Sequence, residues 1–209
     1  MTHTLHREGT PEFLGADFVV SIIPSTGRNQ IGAAEKIKTF YRLMLKHNPT
    51  NFGVKRVGQM YQMPNEEIIE GISGRTHSYS CVLFNRDDLI AFLKDIKEAD
   101  LGISIVVSGN FRLVEACCLE AGVKPHTINF SMGVWGKTEK LPPKEVREIT
   151  TGCGHGMVSP NLVISLAKRV KAGRITAKDA AIEIARPCYC GIINVHNVEQ
   201  QIIRIAESL

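Results

Sequence analysis

A chain of 209 residues, 44% hydrophobic and 22% charged, is long enough to bury a core and too apolar to be mainly disordered. Its formal charge of +4 comes from Lys and Arg spread along the chain, which argues against nucleic acid as a partner and favours small anionic molecules. The longest apolar runs are strand length, and the first fifteen residues lack the basic start and apolar stretch of a signal peptide, so a cytoplasmic protein with no membrane partner is expected.

In chain order, residues 17–23 are rich in Val and Ile and predict a strand. The turn at Pro24 to Gly27 follows, then a helix from about Asn29 to Lys46, with Ile37, Phe40, Tyr41 and Met44 at helical spacing. A second strand is expected over 54–60 and a short acidic helix over 65–72. Residues 79–84 form the next strand, and Asn85, with Asp87 and Asp88 behind it, starts a helix carrying Leu89, Ile90, Phe92, Leu93 and Ile96. A strand over 103–107, a helix over 111–121 closed by Gly122, and a last strand over 126–130 complete the alternation. Strands alternating with helices predict an α/β fold: a parallel or mixed sheet with crossover helices. After Trp135 only helices are expected, over 143–150, 160–171, 177–185 and 196–208. The domain reading is therefore an α/β domain, 1–138, followed by a helical, cysteine-bearing C-terminal segment, 139–209, with one continuous domain as the other option. The sequence leaves homo-oligomerisation open.

Two strand-to-helix turns are candidate ligand loops. Ser25-Thr26-Gly27-Arg28-Asn29 would offer free amides at a helix start, with Arg28 adding charge for a small carboxylate or phosphate; it is not a Walker loop. Asn110, in Ser108-Gly109-Asn110, occupies the equivalent place after a later strand, where α/β sheets gather ligands. His77 and His126 read as structural hydrogen-bonding residues, Cys81, Cys117 and Cys118 as core, and Trp135 as packing at the boundary between the two parts.

The strongest chemistry lies near the C-terminus. Cysteines in a cytoplasmic chain call for an account other than disulfides. Cys153 sits in Thr150-Thr151-Gly152-Cys153-Gly154-His155-Gly156, and Cys188 and Cys190 sit in Arg186-Pro187-Cys188-Tyr189-Cys190-Gly191, each between predicted helices. Glycine leaves room for a bulky group close to the backbone, and thiolates suit soft or borderline metals. The Cys-x-His and Cys-x-Cys spacings are not those of a zinc finger, and iron–sulfur clusters accept scattered cysteines. Three cysteines leave two options: His155 is a fourth ligand, or one iron of a 4Fe-4S cluster stays open to substrate with His155 as proton donor. Zinc is the alternative metal, and metal-free buried or redox-active cysteines are the remaining reading.

The strings Gly-Val-Trp-Gly-Lys-Thr (133–138), Thr-Thr-Gly-Cys-Gly-His-Gly-Met-Val (150–158) and Arg-Pro-Cys-Tyr-Cys-Gly (186–191) resemble an uncharacterised family of anaerobic prokaryotes. The resemblance covers most of the chain and implies an anaerobic setting, which suits an oxygen-sensitive cluster. The expectation is thus a metal- or cluster-binding protein, as an enzyme of anaerobic small-molecule metabolism. A non-catalytic accessory or electron-transfer protein and a zinc-stabilised binding module are the alternatives.

Overall fold

Alternation in the first strand sends Phe18, Val20 and Ile22 to one side and Val19 and Ser21 to the other. The computed structural model, which describes residues 2–73 and 79–209, covers both sides with helices. The strands are β1 (Phe18–Ile23), β2 (Asn51–Val54), β3 (Gly58–Gln59), β4 (Tyr79–Leu83) and β5 (Ser104–Ser108). The helices are α1 (Pro11–Gly15), α2 (Ala33–Met44), α3 (Asn65–Glu70), α4 (Arg86–Ala99), α5 (Phe111–Glu120), α6 (Lys144–Thr150), α7 (Pro160–Lys171), α8 (Ala177–Ala185) and α9 (Val195–Ser208).

The mixed α/β character is as expected, but the sheet is not. Its order is β3-β2-β4-β1-β5, and every recorded pairing is antiparallel. This corrects the parallel or mixed sheet. Because β1 lies between β4 and β5 and runs against both, those two strands point the same way without touching. By the same logic β1 and β2 are codirectional and flank β4. Each strand–helix–strand unit is therefore split, its gap filled by a strand from the other unit. Periodicity reveals the strands and the helices between them, but not which strand fills the gap.

Three further expectations fail locally. The strand over 54–60 is a hairpin: the chain reverses at Lys55–Val57, with Arg56 in the left-handed region (φ 71°), and Gly53 pairs with Gln59. The strand over 126–130 does not form, and the chain from Lys124 to Leu141 is exposed. The second helix also starts late, at Ala33, after Gly32 at φ 73°.

One apolar face of the sheet, with Phe18, Val20, Ile22, Phe52, Cys81 and Leu83, packs against α2 to α5. The opposite face is narrower and partly polar. Val19 and Val82 share a second core with the helices of the C-terminal segment, so α6 to α9 form a layer on the back of the sheet. Ser21 and Ser80 hydrogen-bond to each other on that side (2.8 Å). Small side chains there let helices and loops approach the strands closely.

The N-terminal segment is held by buried polar groups. Arg7 pairs with Asp17, both almost fully buried, and burial lowers the Arg7 pKa to about 10, so it remains a cation at neutral pH. Asn194 and Asn197 on the α9 start donate to the Ala16 carbonyl (2.9 and 3.1 Å). Glu148 of α6 accepts from the Thr10 amide (2.9 Å) and from Gln201 of α9 (2.5 Å). A buried carboxylate needs such donors, and they tie residues 7–17 to both helices.

Candidate functional site

Cys153 and Cys188 come from the ends of two helices. The chain leaves α6 in tight turns, with Gly152 N–H donating to Ile149 (3.2 Å) and Gly154 N–H to Thr151 (2.8 Å). Gly154 and Gly156 take left-handed backbone angles (φ 68° and 67°), which suit a residue without Cβ. At the end of α8, Cys188 N–H donates to Ala185 (2.9 Å) and Gly191 N–H to Cys188 (3.0 Å). Both loops therefore curl tightly, and Cys153 and Cys188 are fully buried in the same core. Cys190 is half-buried and packs against that core.

The two buried thiols are close enough to couple electrostatically. Interaction with the Cys188 thiol is the largest cause of a Cys153 pKa lowered to about 5. Burial opposes the shift, while the backbone amides of His155 and Met157 and the His155 side chain reinforce it. His155 Nδ1 lies 3.7 Å from Cys153 Sγ, on an exposed side chain. Cys188 is held protonated, first by its interaction with Cys153 and then by burial. Burial and the nearby Cys153 charge raise the Cys190 pKa, and Lys55 lowers it. The result is one thiolate with a neighbouring thiol, two backbone donors and a solvent-facing imidazole, a pattern suited to nucleophilic, redox or ligand chemistry.

The pH consequence has a definite sign. Cys153 has a folded pKa below its unfolded one, so its contribution is present above the ordinary thiol range, near pH 9, and is lost as pH falls toward about 5. Cys188 acts oppositely: above the ordinary range only the unfolded chain loses that proton, so stability falls again. In metal-free protein, ultraviolet thiolate absorbance is expected to titrate with a midpoint near 5. Cys188→Ala, which removes that thiol, should raise it by about one unit or more. An unchanged midpoint in that variant would show that the amides and His155 hold the thiolate without Cys188.

The sheet positions the second loop. Gly191 (φ 62°) lies against the β2 backbone, where an added Cβ would sit 2.1 Å from the Phe52 carbonyl carbon. Asn51 Nδ2 donates to Ile193 (3.1 Å), and Gln59 Nε2 donates to Ala185 (3.1 Å) and Arg186 (3.0 Å). The Asn51 Oδ1 atom is buried without a hydrogen-bond partner. Asn51, Gly53 and Gln59 were not singled out from the sequence. Their signal is a run of polar and small residues at alternate positions of the hairpin, which reads as a solvent face but meets the cysteine loop.

Three cysteines and His155 are thus gathered, but among the described residues no three His, Cys, Asp or Glu side chains stand in a metal-ligating arrangement. The other candidates lie elsewhere. In the Ser25–Asn29 turn, Ser25 N–H donates to the Asn29 side chain (2.7 Å), and Arg28 and Asn29 N–H both donate to the Ser25 carbonyl (3.1 and 3.2 Å). Thr26, Gly27 and Arg28 are exposed, and the helix begins only at Ala33. Asn110 accepts from Leu113 N–H (3.4 Å) as the cap of α5. The two loops adjoin opposite ends of the β1–β5 pair, since Ile23 pairs with Ser104 and Val19 with Ser108. They do not form one pocket.

His77 lies outside the described residues. His126 is exposed, with Nδ1 2.7 Å from the Thr127 hydroxyl. Cys81, Cys117 and Cys118 are buried, as expected for core, and burial raises all three thiol pKa values. Trp135 does not pack at a layer boundary; it is exposed, its indole N–H bonded to the Met132 carbonyl (2.9 Å). No helix among the described residues is long and apolar enough to cross a membrane. The chain matches no family model, and no curated protein and no solved structure is similar to it.

Proposed function

We propose that Cys153, Cys188 and Cys190 form a thiolate centre that holds an iron–sulfur cluster or, alternatively, zinc, with His155 on its solvent side. The observation that supports this is the meeting of two loops, with 34 residues between Cys153 and Cys188, that brings one cysteine close to another and the third beside them. Cys190 is the half-buried member of the set, and completing a three-sulfur site requires its sulfur to close on the other two. Amide donors at Cys153 favour the ionised sulfur that a metal needs. A bound cluster would supply Lewis-acid or redox chemistry. His155, exposed beside Cys153, would ligate or pass a proton at the open side.

A second reading follows from the thiol pair. Cys153 and Cys188 would act as a dithiol that becomes a disulfide, releasing two electrons and two protons to a partner disulfide, which is reduced to two thiols.

The test is anaerobic purification followed by visible absorption and analysis for iron, labile sulfide and zinc. Brown protein with iron and sulfide in near-equal amounts supports the cluster, and zinc alone supports the structural-metal form. Protein that stays metal-free after anaerobic reconstitution, but forms a Cys153–Cys188 disulfide on oxidation, replaces the metal reading with the dithiol.

A further inference from the structure

The longest exposed run of chain, 124–141, is also the place where an expected strand fails to form. Ile128, Phe130, Met132 and Val134 alternate with Asn129, Ser131 and Gly133, a strand pattern with one apolar face. Their exposures are 51, 61, 82 and 50%, and that of Trp135 is 79%. Summed, these five residues expose on the order of 600 Å², most of the roughly 800 Å² that one partner contributes to a standard interface.

This segment lies near the β5 edge of the sheet, where the Ser108 hydroxyl is bonded to Thr4 of the N-terminal segment (2.9 Å). Phe130 stacks edge-to-face on Phe111 (ring centroids 4.8 Å apart), and Phe111 starts α5 only three residues after β5 ends. β5 is the last strand of the sheet, with no strand on its outer side among the described residues. Its sequence, Ser-Ile-Val-Val-Ser, contains none of the charge or proline that shields natural edges.

We propose that two copies of this chain associate here, the 127–135 segment of each pairing with the β5 edge of the other. One chain carries both halves of the contact, an open edge and an apolar strand-patterned segment without a strand partner. A two-fold arrangement satisfies both halves twice over. The segment between Lys124 and Lys137 carries no acidic side chain, so no array of like negative charges opposes its approach to a second copy.

The test is sedimentation equilibrium of the full chain with concentration-dependent hydrogen exchange. The wild type is expected to be dimeric at micromolar concentration, with amides of 127–135 and 104–108 gaining protection as the dimer forms. The double variant Met132→Glu/Trp135→Glu, altering exposed side chains outside both cores, should weaken the dimer at least about 30-fold without changing thermal stability of the monomer. A wild type that remains monomeric at about 100 µM overturns the proposal. So does a dimer that survives the double variant or leaves those amides unprotected, and so does a monomer whose patch binds lipid vesicles instead.

Discussion

Gly191→Ala is expected to destabilise the fold by about 4 kcal/mol, measured by urea or thermal unfolding. Two costs combine at this position. The backbone is left-handed, at φ 62°, which costs an L-residue with a side chain about 1 kcal/mol or more. The larger part is steric. The new methyl would sit 2.1 Å from the Phe52 carbonyl carbon, 2.3 Å from the Gly53 nitrogen and 2.5 Å from the Phe52 oxygen. Those are backbone atoms of β2, so no flexible side chain can swing away. Either the strand shifts or the cysteine loop lifts from it. Gly173→Ala isolates the first cost: Gly173 has φ 66° but nothing within 4 Å of the added Cβ, so about 1 kcal/mol is expected there. Equal losses in the two variants would mean that the contact between the loop and β2 is not rigid. Lifting the loop should also disturb the thiol pair, because Cys188 and Gly191 share one tight turn.

Cys188→Ser is expected to lower bound metal, after anaerobic reconstitution, to under about a tenth of the wild-type content. The substitution keeps a small hydroxyl donor beside Cys153, so folding should survive and the loss should report on ligation. Cys190→Ser separates the two functional readings. If three sulfurs hold the metal, this variant should lose metal nearly as completely as Cys188→Ser. If Cys153 and Cys188 act as a dithiol, Cys190→Ser should leave disulfide formation intact while Cys188→Ser abolishes it. His155→Ala sorts the role of the imidazole: a fourth ligand would take metal content down with it, whereas a proton donor would leave content unchanged. Wild-type metal content in both cysteine variants would end the metal proposal.

The local elements were legible because local chemistry dictates them. Asn85 was identified as a helix cap, and its side chain accepts from Asp88 N–H (2.8 Å). Thr176 likewise caps α8 through Asp179 N–H (3.0 Å). Apolar spacing in α4 placed Leu89, Ile90, Phe92, Leu93 and Ile96 in the core. The candidate cysteines follow from residue type and glycine context. Between Cys153 and Cys188 the chain forms α7 and α8, joined by the short turn at Gly173 (φ 66°).

What the sequence by itself determined was therefore the helices other than α1, the strands β1, β4 and β5, and the three cysteines as the most chemical group in the chain. Each depends on neighbours a few residues apart. Strand order was decided only in three dimensions, because β1 enters between β4 and β5 through pairings about 60 and 85 residues distant, which no local period encodes. The same holds for the back face of the sheet. Asn51 and Gln59 look solvent-facing along the strand, yet they hold the backbone of the loop that carries Cys188, and Gly53 leaves that loop its space. The state of the thiols was decided there too: residue type makes Cys153 a possible thiolate, but the group that most stabilises its charge is a thiol 35 positions away, brought near by packing of the C-terminal helices.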